Sequence, residues 1–206
     1  ECLIIVINLK SLYLSNFDFS NTYNIENIFD GCSSLQYLNL SNFKKGIINS
    51  FSYLFKDCIN LQTIDLSNFE GSLIENRMDY MFHGCQNLIS IELLNLDLSN
   101  TKNMSYMFNR CLFLKTVKLK NLKETSIIDY SFMFNDCFSL EFVDLSEFRN
   151  SNKDNYIYDM KNMFNNCKKV KYIDFSNLDV SYAFNHQSIF TQCINLESLK
   201  LTNYKA

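Results

Sequence analysis

The chain has 206 residues, 47% hydrophobic and 20% charged, enough for one core-forming domain or one array of small repeats and too apolar for a disordered tail. Its 19 Lys and Arg against 22 Asp and Glu leave a formal charge of −3, which excludes a strong electrostatic claim on nucleic acid or an anionic membrane. The longest apolar stretch, Cys2 to Ile7, is far too short to cross a bilayer.

No signal-peptide pattern opens the chain, and Glu1 stands where a Met is expected, so the sequence reads as a fragment of a longer protein. There is no Pro and there are only 4 Gly, too few for a domain built on many unrelated turns. The cysteines are periodic instead. Cys32, Cys58, Cys85, Cys111, Cys137, Cys167 and Cys193 follow at gaps of 26, 27, 26, 26, 30 and 26, and Val6 fills the same slot one period earlier. Such a period marks a stacked repeat.

In chain order, each slot is followed by the same succession. After Val6 come Leu9, then a strand carrying Leu12 and Leu14, then a cap at Asn24 and a short helix reaching Cys32. The next strand carries Leu38 and Leu40, with Ser41-Asn42-Phe43 after it, a cap at Ser50 and a helix reaching Cys58. Ile64 and Leu66 lead through Ser67-Asn68-Phe69 to Arg77, a poor cap that predicts a looser start for the helix of Met78, Met81, Phe82 and Cys85. Ile91 and Leu93 precede Asn103 and the helix of Met104, Met107, Phe108 and Cys111. Val117 and Leu119 precede the cap Asp129 and Cys137. Val143 and Leu145 precede a polar excess of four residues within Arg149 to Asn155, expected as a surface loop, then the cap Asp159 and the helix of Met160, Met163, Phe164 and Cys167. Ile173 and Phe175, the cap Asn185 and Cys193 follow, and a strand with Leu199 and Leu201 comes last. The alternation in each strand has period two, and the i, i+3, i+4, i+7 spacing before each Cys places those residues on one helix face. The expected fold is α/β. It is a solenoid over residues 1–206 of about eight coils of ~26 residues, with a parallel sheet on one side, short helices on the other and right-handed crossovers.

The strings MSYMFNRCLFLKTVKLKNL, MDYMFHGCQNLISIEL, IFDGCSSLQYLNLSNF and LFKDCINLQTIDLSNF resemble the repeat of BspA-like leucine-rich-repeat surface proteins, including the mycoplasma-lipoprotein-type surface repeats. The resemblance spans nearly the whole chain. It implies a bacterial or protist surface protein used in adhesion or host contact through the strand face. Turns that carry Gly and Thr in that family carry Lys, Asn and Tyr here.

No enzymatic site is expected. The thiols lack the paired spacing of a zinc site and, pointing the same way in stacked coils, read as buried, reduced and structural; Cys2 is out of register. His83 precedes Cys85 by two positions but is expected on the outward helix face, and His186 fills an inward slot held elsewhere by Met or Ile. No P-loop, GxSxG or Rossmann pattern occurs, so no cofactor is expected. Asn16, Asn42, Asn68, Asn95, Asn121, Asn177 and Asn203 form a row expected to bond the adjacent coil's backbone, and two sequons stand at Asn39 and Asn103.

What remains is the solvent side of the sheet. One outward column contains Tyr37, Phe142 and Tyr172, expected as exposed anchors of the kind enriched at interfaces. The other contains Asp65, Glu92, Lys118, Asp144 and Asp174, whose carboxylates favour a basic partner. These eight residues are the expected partner-binding set of a non-enzymatic protein-binding module at the cell surface or secreted. The alternative is a cytoplasmic repeat scaffold. A protein ligand is expected, with no nucleic acid and no membrane insertion in this segment. The uncapped ends are expected to need further repeats or a capping element and to promote self-association.

Overall fold

The structure is a computed structural model and describes residues 8–14, 22, 24–40, 46–48, 50–66, 71–73, 77–94, 96–98, 101–119, 127–145, 158–179, 181 and 183–202. Its strands are β1 (Ser11–Tyr13), β2 (Tyr37–Asn39), β3 (Gly46–Ile48), β4 (Thr63–Asp65), β5 (Gly71–Leu73), β6 (Ser90–Leu93), β7 (Leu96–Asp97), β8 (Thr116–Leu119), β9 (Phe142–Asp144), β10 (Tyr158–Asp159), β11 (Tyr172–Asp179), β12 (Ala183–Asn185) and β13 (Ser198–Thr202). The chain winds as a leucine-rich-repeat-like solenoid of about 5 turns with parallel strands, so the expected eight coils are not supported. At both ends only parts of a coil fall within the described residues.

The main face carries β1, β2, β4, β6, β8, β9, β11 and β13, in register: Tyr37 pairs with Thr63, Val117 with Val143, and Ile173 with Leu199. Leu38, Val117 and Ile173, at the middle of these strands, point inward and are at most 1% exposed. A second, narrower face is formed by β3-β5-β7, by single parallel bridges from Arg77 through Asn103 and Asp129 to Asp159, and by β10-β12.

The third side corrects the α/β expectation. Among the described residues no α-helix forms; the segments 51–57, 104–110 and 160–166, like their equivalents, are runs of turns. Alternate amides close bonds three residues back (Leu54 to the Phe51 carbonyl, Lys56 to Tyr53, Cys58 to Phe55), while the amides between them reach the next coil (Phe51 to Arg77, Tyr53 to Asp79, Phe55 to Met81, Asp57 to His83). Every second donor is thus turned out of the chain's own axis. That requires a left-handed residue twice per run, at Tyr53 and Asp57, Tyr80 and Gly84, Tyr106 and Arg110, Phe132 and Asp136. Each costs a non-glycine residue about 1–2 kcal/mol, which the intercoil bond, worth about 0.5–1.5 kcal/mol, and ring stacking offset. At Gly84 a Cβ would also meet the end of the Asp57 side chain, which would have to shift to make room.

The caps exist, but they head turns. Ser50 Oγ accepts the Ser52 N–H, and Asn103, Asp129 and Asp159 Oδ1 accept the N–H two residues on, at 2.7–2.9 Å. Arg77 does not loosen its run. Its guanidinium holds Asp79 through two 2.9 Å bonds, and Ser52 Oγ donates to the same carboxylate at 2.7 Å.

The core is a set of columns. Phe29, Phe55, Phe82, Phe108, Phe134 and Phe164 stack at 5.0–5.6 Å between ring centroids. Cys58, Cys85, Cys111, Cys137 and Cys167 are free thiols fully removed from solvent, and Cys32 and Cys193 are partly exposed. From Cys58 to Cys193 each donates its S–H to a Phe carbonyl one coil earlier, Cys85 to Phe55 and Cys111 to Phe82 at 3.1 Å. The same carbonyl accepts its own coil's Cys N–H, as Phe55 does from Cys58. Both lone pairs of a buried oxygen are therefore used, and burial drives the thiol pKa values well up.

Candidate functional site

The main-face sheet is not continuous. It falls into three ladders, β1-β2-β4, β6-β8-β9 and β11-β13. The breaks lie between β4 and β6 and between β9 and β11, and they coincide with the two coils whose Cys-to-Cys length is 27 and 30 rather than 26. Elsewhere the first amides of a strand bind the preceding coil: Glu141 and Phe142 to the Lys115 carbonyl, Glu197 and Ser198 to Lys171. Among the described residues, the matching bonds from Lys171 and Tyr172 to Glu141 are missing. The turn side stays closed across the same junction, with Tyr130, Phe132, Phe134 and Asp136 bonded to Asp159, Lys161, Met163 and Asn165.

The solenoid is therefore splayed on its strand face between β9 and β11. The opening is a cleft of ≈ 180 Å³ lined by Phe142, Val143, Asp144, Tyr172, Asp174, Ser176 and Asn177, room for about six waters or one long side chain. Phe142 is 48% and Tyr172 40% exposed. Asp174 accepts the Tyr172 hydroxyl at 2.6 Å, the Ser176 N–H at 2.8 Å and Lys200 Nζ at 3.2 Å. Those donors, the Ser176 and Tyr172 side chains first, hold its pKa well below the usual carboxylate range.

Of the eight expected partner-binding residues, this cleft gathers Phe142, Asp144, Tyr172 and Asp174. Glu92 and Lys118 sit elsewhere on the face, joined at 2.6 Å, so the carboxylate column is partly neutralised. Asp65 lies at the other break. Tyr37 corrects the expectation of an exposed anchor. It is only partly accessible, covered by the Tyr13 ring at 5.4 Å and by the Asn39 amide, which donates to its hydroxyl. Tyr13, 67% exposed, is the more accessible aromatic at that end. Ser176, Asn177 and Lys200 were not expected at the site; the spacing of Asp174 from Ser176 and its equivalence to Lys200 one coil on are the signals for two of them.

Other expectations are revised. His83 is half-buried rather than outward, its ring against Tyr80 and Tyr106 at 5.3 and 6.5 Å, and burial lowers its pKa. His186 is exposed, at the rim of a cavity of ≈ 260 Å³ with Met160, Phe175, Ile189 and Phe190 in the last coil. Of the expected Asn row, Asn16, Asn42, Asn68, Asn95, Asn121 and Asn203 lie outside the described residues, as do Cys2 and the segment 149–155, and Asn177 is exposed. An amide ladder does exist in a different column, two positions before each Cys: Asn165 donates to Asn135 at 2.7 Å and Asn135 to Asn109 at 3.0 Å. Among the described residues no group of three His, Cys, Asp or Glu could hold a metal ion, and no helix is long and apolar enough to cross a membrane.

No curated protein matches the chain. Among solved structures, a leucine-rich repeat protein from Bacteroides ovatus is similar at 18% identity and TM-score 0.40, over 93% of this chain and 61% of that one. A leucine-rich cell surface protein from Faecalibacterium prausnitzii is similar at 14% identity and TM-score 0.34, over 96% and 84%. The TLR13–ssRNA13 complex follows at 16% identity and TM-score 0.25, over 94% and 36%. The chain thus spans 61% of the length of the first of these. The family described as "Mycoplasma protein of unknown function, DUF285" matches residues 6–118 and again 76–204, and the chain belongs to that family.

Proposed function

We propose that this chain is a non-enzymatic protein-interaction module that binds its partner through the strand face, displayed at the cell surface and serving adhesion or recognition. The observation that carries the reading is the splayed junction between β9 and β11, the one of the two breaks in the strand face at which two exposed rings flank a cleft. Large aromatics in a pocket that a partner can fill and dry are the anchors that dominate binding energy. Residues 1–206 are taken as one repeat domain of a longer protein. The leucine-rich resemblance and the family's Mycoplasma description favour the surface setting over a cytoplasmic scaffold.

The test places a photo-crosslinking amino acid at Tyr172 on the strand face and, separately, at Tyr80 on the turn side, and exposes both proteins to an extract of surface proteins. Partner adducts at position 172 that unlabelled wild type suppresses, with the unlabelled double variant Phe142→Ala and Tyr172→Ala about 30-fold weaker as a competitor, are expected for a pair of anchors worth about 2 kcal/mol. Adducts at position 80 that the double variant suppresses as well as wild type does contradict the reading.

A further inference from the structure

The turn side carries a row of rings that binding at the strand face leaves unused. Tyr53, Tyr80 and Tyr106 occupy the same place in three successive coils, and Phe132 follows in the fourth. Their ring centroids are 5.0, 4.6 and 4.6 Å apart, with planes within 8° of parallel. Those spacings match the repeat of about 4.8 Å between neighbouring strands of stacked coils. Each ring is therefore its predecessor shifted by one coil, with like edge over like edge. The backbone fixes this placement. All four residues are left-handed, at φ 56–60°, and each amide is bonded to the next coil: Tyr53 to Asp79, Tyr80 to Ser105, Tyr106 to Ser131 and Phe132 to Lys161. The rings are half-buried. Their faces cover one another, and their edges stay open to solvent.

We propose that the Tyr53–Tyr80–Tyr106 row is a site of oxidative coupling, forming dityrosine that ties successive coils together. The oxidant is a haem peroxidase with hydrogen peroxide, which takes one electron at a time from a ring edge. Two adjacent phenols each give up one electron to the oxidised haem and one proton to water. The two phenoxyl radicals join through a carbon ortho to each oxygen. Each ring regains its aromaticity when the ortho hydrogen leaves as a proton and its oxygen takes one up. Two electrons and two protons are lost in all, and they reduce one hydrogen peroxide to two waters.

Coupling of separate tyrosines waits on the meeting of two short-lived radicals. Here the second ring is already in place, and holding reactants together contributes a large factor in rate. The Tyr13–Tyr37 pair on the strand face lacks the alignment, its rings 5.4 Å apart and tilted by 48°. Phe132 has no hydroxyl and ends the row. The Tyr53–Tyr80 link spans the junction at which β4 and β6 are not paired, so it joins two coils that the strand face leaves unladdered.

The test treats the 206-residue chain, dilute enough to limit contact between chains, with a haem peroxidase and hydrogen peroxide. Products are read by dityrosine fluorescence, intact mass and mapping of cross-linked peptides. Single chains lighter by two hydrogens, linked Tyr53 to Tyr80 or Tyr80 to Tyr106, are expected. Tyr80→Phe keeps the stack but removes the phenol that both links share, leaving Tyr53 and Tyr106 two coils apart. It is expected to lower dityrosine within the chain by about 5-fold or more, against less than about 2-fold for Tyr37→Phe. Phe132→Tyr is expected to add a link from Tyr106 to position 132. Links confined to other tyrosine pairs, links formed only between chains, or an undiminished yield from Tyr80→Phe would overturn the proposal. The same peptide map from chain oxidised in denaturant would overturn it too, because the stack would then play no part.

Discussion

The turn side and the strand side of this solenoid answer the same irregularity in opposite ways. On the turn side, from Phe51 onward, four amides of each run bind the next coil whether the intervening coil has 26, 27 or 30 residues. On the strand side the ladder persists only across the coils of 26 and breaks at both of the others. The turn runs carry the buried Phe and Cys columns and their S–H bonds. The strands are mostly three or four residues long. When extra residues lengthen a coil, the side with fewer bonds and less buried surface yields. Stability resides in the turns, and the irregularity is confined to the strands.

The sharpest way to break that comparison is to attack the turn-side column. Phe108 is fully buried between Phe82 and Phe134 at 5.6 and 5.5 Å, and Phe108→Ala is expected to cost about 3–5 kcal/mol in equilibrium denaturation. Phe142→Ala on the strand face, where the ring is half in water, is expected to cost under about 1 kcal/mol. Comparable losses at the two positions would remove the distinction. Next in size, Cys111→Ala loses both a methylene-sized volume and the S–H bond to Phe82, about 1–2 kcal/mol. Cys111→Ser keeps the donor and trades the lost volume for a costlier desolvation, so the two variants separate packing from hydrogen bonding.

Thiol accessibility gives a chemical version of the same contrast. Under native conditions Cys32 and Cys193 are expected to react with a maleimide well before Cys58, Cys85, Cys111, Cys137 and Cys167, which are buried and held as neutral thiols. Peptide mapping of the adducts checks this, and early labelling at Cys111 would contradict the dry column. The smallest effect is that of pH. Burial lowers the His83 pKa in the folded chain, so the unfolded chain binds this proton more readily. Its contribution to stability is complete above the ordinary histidine range and is lost as pH falls through it toward the folded value. His83→Gln is expected to flatten that part of the profile of melting temperature against pH.

Much of this was legible in the sequence. The Cys column, the Leu pair of each strand and the position of each cap follow from the period alone, because a stacked repeat converts sequence spacing directly into vertical contact. The helices were misread for a physical reason. A run of turns closed by bonds three residues back buries the same i, i+3, i+4, i+7 set as a helix, so the pattern cannot separate them. Gly31 and Gly84 were the two hints of left-handed backbone. Tyr53, Tyr80, Tyr106 and Phe132 gave none. They tolerate that conformation because their rings stack on one another at 4.6–5.0 Å. At the site, Phe142, Asp144, Tyr172 and Asp174 could be named from alternation. Their convergence on one cleft required the coil of 30 to open the ladder, an effect written in the spacing but visible only once the turn side is seen to hold firm. Tyr37 failed as an exposed anchor because Tyr13, equivalent to Asn39 and Asp65 in its own column, leans across to cover it.

The dependence of ladder continuity on coil length is open to a direct measurement. Amide hydrogen exchange resolved by residue compares Lys171 and Tyr172, which begin the strand after the long coil, with Glu141 and Phe142, which begin the strand after a coil of 26. The geometry requires fast exchange at Lys171 and Tyr172 beside protected Glu141 and Phe142, and protection appearing at Lys171 and Tyr172 once Asn152 to Asn155 are deleted to restore the 26-residue spacing. Equal protection of the two pairs in the unaltered chain, or no gain on shortening the coil, would contradict it.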